Sequence, residues 1–169
     1  MTTTALLLLD GFDRVRGSVR DILDGIAPDA LVHRPGANAN SIAWLVWHLT
    51  RIQDDHVAAV AGIEQVWTAQ GWAARFGLPF TDDATGYGHT SEEVAAVRAP
   101  ADLLAGYHEA VYAQTRDYVE RLTDGDLDRV VDRRWDPPVT LAVRLVSVIA
   151  DDLEHAGQAA YVRGLIEAG

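Results

Sequence analysis

The sequence predicts an all-α fold: a four-helix bundle in up-down-down-up order, with one long crossover between the second and third helices. Three observations predict it. Apolar residues recur at spacings of three and four along four separate stretches, near 4–26, 41–61, 100–122 and 140–167. No apolar–polar alternation is long enough to read as a strand. The connection from Ile63 to Arg98 is far longer than an antiparallel helical hairpin needs. A helix of about 21 residues spans about 30 Å, and this connection can cross that whole length. The 169 residues are the length of one ordinary domain, read as a single bundle over 1–169.

The first helix carries Leu6, Leu9, Phe12, Val15, Val19, Ile22 and Leu23 at helical spacing, and Ala27-Pro28 stops it. A loop follows through His33-Arg34-Pro35-Gly36-Ala37-Asn38-Ala39, dense in turn formers. Asn40 or Ser41 suits the N-cap of the second helix, which carries Ile42, Leu45, Leu49, Ile52 and Val57 to a stop at Gly62. The crossover holds short helical pieces, a break at Gly77–Pro79 and a loop over Asp82–His89. Thr90-x-x-Glu93 is a capping-box pattern that starts a short helix. Pro100 fits the first turn of the third long helix, with Leu103, Leu104, Tyr107, Val111, Thr115, Tyr118 and Val119 facing inward. A break that begins at Thr123–Asp126 and ends at Trp135–Pro138 precedes the fourth and most apolar helix, from Thr140 to about Glu167.

Composition narrows the chemistry. Fourteen basic residues stand against twenty-five acidic ones, a net charge of −11, which argues against binding to nucleic acid or anionic lipid. All fourteen cations are arginine, so covalent chemistry through a lysine amine is excluded. The absence of cysteine excludes disulfides, thiolate metal sites and a cysteine nucleophile. The apolar run Met1–Leu9 has no basic stretch before it and no cleavage site after it, and Asp10 and Asp13 interrupt it too early for a membrane span. A soluble, cytoplasmic protein is the expectation.

The informative residues are ionisable groups inside apolar helical stripes. His48 sits in Ala43-Trp44-Leu45-Val46-Trp47-His48-Leu49, and Asp151 and His155 sit in the apolar run Leu145–Ala160. Four residues rotate a helix by about 40°, so Asp151 and His155 share a face one turn apart. Asp152, about 60° to the other side of His155, is a rival for the same role. A buried carboxylate needs a counter-charge. A divalent ion shared with two histidines supplies one, giving a three-ligand site with open positions. The alternative is an Asp151–His155 hydrogen-bonded couple with no ion. His56 reads as a surface residue, about 80° round from His48. Asp55 lies near the His48 face and reads best as an ion-pair partner of Arg51. His89, in Gly86-Tyr87-Gly88-His89, reads mainly as a loop residue that can reach an active-site mouth. The Gly86-x-Gly88 pair precedes no phosphate-binding helix, and no Gly-x-Ser-x-Gly elbow is present. Trp44 and Trp47 read as core, with one of them a candidate lining for a substrate pocket.

Two motifs resemble the DinB/YfiT-like metalloenzyme superfamily, in particular its mycothiol-transferase-like branch. One is Arg34-Pro35-Gly36 followed by Asn40-Ser41-Ile42-Ala43-Trp44-Leu45-Val46-Trp47-His48-Leu49. The other is Asp151-x-x-x-His155-Ala156-Gly157-Gln158-Ala159, similar to the superfamily's His-x-x-x-His-Arg-Gly-Gln signature. The resemblance extends over essentially the whole chain. It implies a four-helix bundle with a divalent ion held by His48, Asp151 and His155. The sequence departs from the pattern at Asp151, where histidine is commoner, and at Ala156, where arginine is common. Zinc is the first expectation for the ion, and a carboxylate ligand also suits nickel, iron or manganese.

The resemblance further implies a transferase that uses a low-molecular-weight thiol such as mycothiol or bacillithiol on a small electrophile. Trp44 and Arg163 are candidates for substrate binding, and a homodimer is an expectation of the resemblance alone. A metal-dependent hydrolase, with His89 or Asp152 as its base, is the alternative enzyme. A metal-binding, stress-related protein without catalysis is the alternative outside enzymes.

Overall fold

A computed structural model describes residues 1–169. The chain is mostly helical: α1 (Thr3–Leu23), α2 (Pro28–Val32), α3 (Ile42–Ala61), α4 (Val66–Ala69), α5 (Trp72–Phe76), α6 (Ser91–Ala96), α7 (Ala101–Val119) and α8 (Leu141–Ala168). A 3-10 turn at Asp124–Asp128 and a two-stranded antiparallel ribbon, β1 (Val130–Asp132) with β2 (Val139–Thr140), lie between α7 and α8. The ribbon corrects the strand-free expectation. Strands of three and two residues are too short to leave an alternating pattern in the sequence.

Side-chain caps set the helix starts. The Thr2, Ser41 and Thr140 hydroxyls accept from the backbone N–H groups of Ala5, Trp44 and Val143. Thr90 and Glu93 close the capping box that opens α6. At the far end of α3, Gly62 takes the left-handed conformation, φ 69°, which glycine adopts without a Cβ clash. Helix α1 stops at Leu23, not at Ile26: Asp24 turns extended and Gly25 follows at φ 62°. Pro28 then opens α2 instead of only ending α1. Pro100 is the N-cap of α7 rather than a residue of its first turn. Leu6, expected inward, is 52% exposed, and Leu103 and Tyr118 are half-buried.

The four long helices touch in a ring, α1 on α7 and α8, and α3 on the same two. His48 meets His155 while His56 meets Arg144, so α3 and α8 run in opposite directions. Gly11 lies on Ile149 and Arg163 reaches Asp21, so α1 and α8 run together. Gln53 meets Thr115 and Tyr107 meets Arg51, which makes α3 and α7 parallel. The interior divides into two buried clusters. One surrounds Trp44, Trp47, Trp67, Trp72 and Tyr107, and the other surrounds Phe12, Leu141 and Leu145. Each fully buried aliphatic or Phe side chain contributes about 1.5–3 kcal/mol.

A buried polar network pins the crossover to this frame. Arg51, with no exposed surface, donates to the Ala84 carbonyl (3.1 Å), the Asp82 carbonyl (3.4 Å) and the Tyr107 hydroxyl (3.2 Å). Asp54 accepts from the Val66 and Trp67 N–H groups and from Tyr107 Oη, each at 2.8 Å. The ion-pair partner of Arg51 is therefore Asp54, at 3.6 Å, and not Asp55. Three residues separate the pair on α3, which puts both on the buried face. Asp55 is instead the acceptor for Gln65 Nε2 at 2.8 Å.

Candidate metal centre

Helix α3 delivers His48 and α8 delivers Asp151 and His155. One ligand-capable atom from each lies within 4.8 Å of the others. The two imidazole centroids are 4.8 Å apart and nearly perpendicular, so both rings aim into one space. His155 Nε2 and Asp151 Oδ1 are 3.7 Å apart, too far for a hydrogen bond and close enough for one cation to bridge. Asp151 Oδ2 is buried without any hydrogen-bond partner. A carboxylate beside two imidazoles, with one of its oxygens unpartnered, is what a divalent cation would satisfy.

Hydrogen bonds to the far nitrogens fix the tautomers. His48 Nδ1–H donates to the Thr85 carbonyl at 2.5 Å, and His155 Nδ1–H donates to Gln158 Oε1 at 3.0 Å. Each ring is left with its Nε2 lone pair free for a ligand bond, the arrangement expected where an outer partner orients a metal-binding histidine. Burial holds the His48 pKa below the ordinary histidine value, partly offset by the Thr85 bond, so the ring stays neutral at neutral pH. Neutral imidazole is the form that binds a metal. Two nitrogens and one oxygen suit zinc, and also nickel, iron or manganese, with positions left open.

The Thr85–Gly86 backbone is the part of this site that no sequence pattern named. Gly86 is buried at φ 94°. A Cβ there would sit 2.8 Å from His48 Nδ1 and 3.0 Å from Trp47 Cζ3. Only glycine lets the loop lie this close over the histidine. The Gly86-Tyr87-Gly88 spacing is its signal, read as close backbone approach rather than as a phosphate motif. Gln158 lay within the motif that resembles the superfamily, and its role as orienter of His155 became visible only in three dimensions. Arg34 organises the entry to α3 by donating to the Ala37 carbonyl and to Ser91, which ties the loop before α3 to the start of α6.

The remaining candidates occupy distinct places. Trp44 stacks on His48, centroids 4.5 Å apart and 16° from coplanar, and meets His155 edge-on at 6.4 Å. His89 lies among Trp44, Trp47 and Phe80, and its Nδ1 accepts from Trp44 Nε1–H at 3.2 Å. That contact places the His89 proton on Nε2 and makes the ring a donor. Asp152 is completely buried and neither carboxylate oxygen has a partner. Burial, with the Asp151 charge in support, pushes its pKa well above the usual carboxylate range. Its carboxyl is sealed inside the helix packing, while Asp151 faces the histidines. Arg163 donates to the carbonyls of Asp21, Ile22 and Asp24 and pairs with Glu167. Its guanidinium is engaged at the C-terminus of α1, where a cation also complements the helix dipole.

Fold and site together define a helical protein with a two-histidine, one-carboxylate cluster that fits a divalent metal. The model of the mycothiol-S-transferase family matches residues 7–168, and the chain belongs to that family, within the DinB/YfiT-like group its motifs resemble. A crystal structure of a conserved protein from Enterococcus faecalis is similar over 100% of this chain and 99% of its own, with a TM-score of 0.92 and 34% identity. No curated protein matches the chain. No helix is long and apolar enough to cross a membrane.

Proposed function

We propose that the protein is a metal-dependent thiol S-transferase of the mycothiol type, acting on a small electrophile. The observation that carries this reading is the His48–Asp151–His155 cluster in a chain of the mycothiol-S-transferase family. A divalent cation, zinc in the first instance, supplies positive charge that stabilises a thiolate. The chain has no cysteine, so the thiol arrives as a cosubstrate. His48 and His155 would hold the ion through Nε2, and Asp151, at the exposed edge, would offset its charge. Trp44 and the His89 loop border the approach. The bundle behind the site is of up-down-down-up order, supported by the parallel α1–α8 and α3–α7 pairs and the antiparallel α3–α8 pair.

In the transfer, the thiol proton passes to solvent and the sulfur lone pair forms a bond to carbon. The bond from that carbon to the leaving group breaks with its electron pair departing on the leaving group. Lowering a thiol pKa from about 8.5 towards 7 raises its thiolate fraction at neutral pH roughly tenfold or more. The same shift lowers intrinsic nucleophilicity, so positioning by the pocket provides the rest. A hydrolase needs a base beside the attacking water. His89 has its Nδ1 lone pair occupied by Trp44, and Asp152 is closed off from solvent, which favours the transferase over the hydrolase.

A homodimer belongs to this reading. It is supported by an exposed stripe on α8, Val143, Val146, Ala150, Leu153, Gly157 and Ala160, at alternating spacings of three and four. Sedimentation equilibrium of the protein against Val146→Glu tests it, with a fall in mass expected for the variant and equal masses contradicting the interface.

The activity test uses metal-loaded protein with mycothiol, bacillithiol, glutathione and cysteine against a chlorinated aromatic electrophile, beside His155→Ala. Thiol consumption well above the His155→Ala background is expected with at least one thiol. Hydrolysis of esters or amides without thiol consumption would establish the hydrolase instead. Neither activity across a broad panel would leave the binding-protein reading.

A further inference from the structure

Helices α3 and α8, which carry the His48 cluster, also line a second polar site. A cavity of about 510 Å³ opens between the middle of α3, the start of α8 and the β1–β2 ribbon. Its wall brings together Arg129, Arg133, Arg134 and Arg144 against two carboxylates, Asp55 and Asp132. Four of the chain's fourteen arginines thus line one cavity of a protein with net charge −11.

Those two carboxylates do not neutralise the cavity. Asp132 is shared between Arg134 (2.8 Å) and Arg144 (3.2 Å), and the hydrogen bonds from Arg134 hold its pKa far below the usual range. Asp55 is engaged by Gln65 and lies 3.6 Å from His56. Arg129 donates to the Val60 carbonyl and the Tyr118 hydroxyl, both neutral, and no carboxylate pairs with it or with Arg133. Arg144 is only 19% exposed and its second nitrogen rests 3.4 Å from His56 Nδ1. One partly desolvated guanidinium, Arg144, beside three exposed ones with unused donors makes a recognition surface for planar or tetrahedral oxyanions.

The cavity shares α3 and α8 with the metal-type cluster. His56 lies eight residues beyond His48 on α3, about 12 Å along the axis.

We propose that this arginine-lined cavity binds the anionic end, carboxylate or phosphate, of a small molecule whose other end reaches His48, Asp151 and His155. The inference rests on the transferase reading for what reacts at that other end; the anion site itself does not depend on it. An elongated cosubstrate that engages both sites would have to bridge the roughly 12 Å of α3 that separates His48 from His56 on the cavity wall. Energy from the remote anion would then be available to orient the reacting end.

The test is isothermal titration calorimetry of the full chain, freed of metal, with inorganic phosphate and with succinate in turn at constant ionic strength. Saturable binding of one anion per chain is expected for at least one probe, with Kd of about millimolar. The tighter probe identifies the anion class. Arg133→Gln, at an exposed position without internal partners, is expected to fold normally and weaken binding about tenfold. Arg129→Gln is expected to do the same, and His155→Ala to leave Kd within about twofold. No saturation by either anion would overturn the proposal, and so would equal Kd values for wild type and both arginine variants. Because the measurement uses metal-free protein and His155→Ala, its outcome is independent of whether thiol transfer is found.

Discussion

His108 gives the pH dependence of stability a specific source. The residue is 1% exposed on α7, and its Nε2 has no hydrogen-bond partner. Burial drives its pKa down to about 4; Glu109 works in the other direction, and Arg16 and Arg20 add to the lowering. The folded state therefore keeps His108 neutral while the unfolded chain takes up a proton below about pH 6.5. Between those two values the unfolded state binds more protons, so stability falls as pH falls. The stability is fully present above the unfolded pKa; about 2 kcal/mol of it is lost at pH 5 and about 3 kcal/mol by pH 4. The perturbation is His108→Gln, which cannot take up that proton. Urea unfolding of metal-free wild type and variant at pH 8 and pH 5 isolates the effect, since every other histidine titrates in both chains. Wild type is expected to lose about 2 kcal/mol more than His108→Gln over this interval. Identical losses would refute the account of a neutral, unpartnered histidine in the interior.

Gly86→Ala places a Cβ against His48 Nδ1 at a positive φ. A loss of about 1–3 kcal/mol is expected, seen as a Tm several degrees lower, together with reduced zinc retention. Arg51→Met leaves Asp54 without its buried cation and two crossover carbonyls without a donor; a loss of about 3 kcal/mol or more in urea unfolding is expected, and less than about 1 would contradict the network. Chelation of zinc-loaded protein is expected to lower Tm while far-UV circular dichroism at 25 °C stays unchanged, because the His48 cluster lies beside an already packed interior. Collapse of the helical signal on chelation would make the ion structural.

Much of this fold was legible because its signals are local. Ser41 and Gly62 bracket α3 with a cap and a left-handed stop, and the Thr90–Glu93 box marks α6 within four residues. The metal-type cluster was legible because ionisable residues stand out in apolar helices, and because Asp151 and His155 share a face. The spacing left Asp151 and Asp152 as rivals. Three dimensions separate them, since one faces the histidines and the other is sealed in the helix packing. The illegible parts are those fixed across the chain. Thr85 meets His48 from thirty-seven residues away, and Arg51 finds carbonyls on a loop more than thirty residues on. The arginine cavity likewise joins a ribbon too short to read with residues from two long helices.

The central claim is that His48, Asp151 and His155 hold one divalent ion. The most direct measurement is elemental analysis of tag-free protein, loaded with zinc and dialysed to equilibrium, for wild type, His48→Ala, Asp151→Asn and His155→Ala. The account predicts close to one zinc per wild-type chain, loss of most of it in both histidine variants, and weakened retention in Asp151→Asn. Equal zinc content in all four proteins, or none in the wild type, would contradict it.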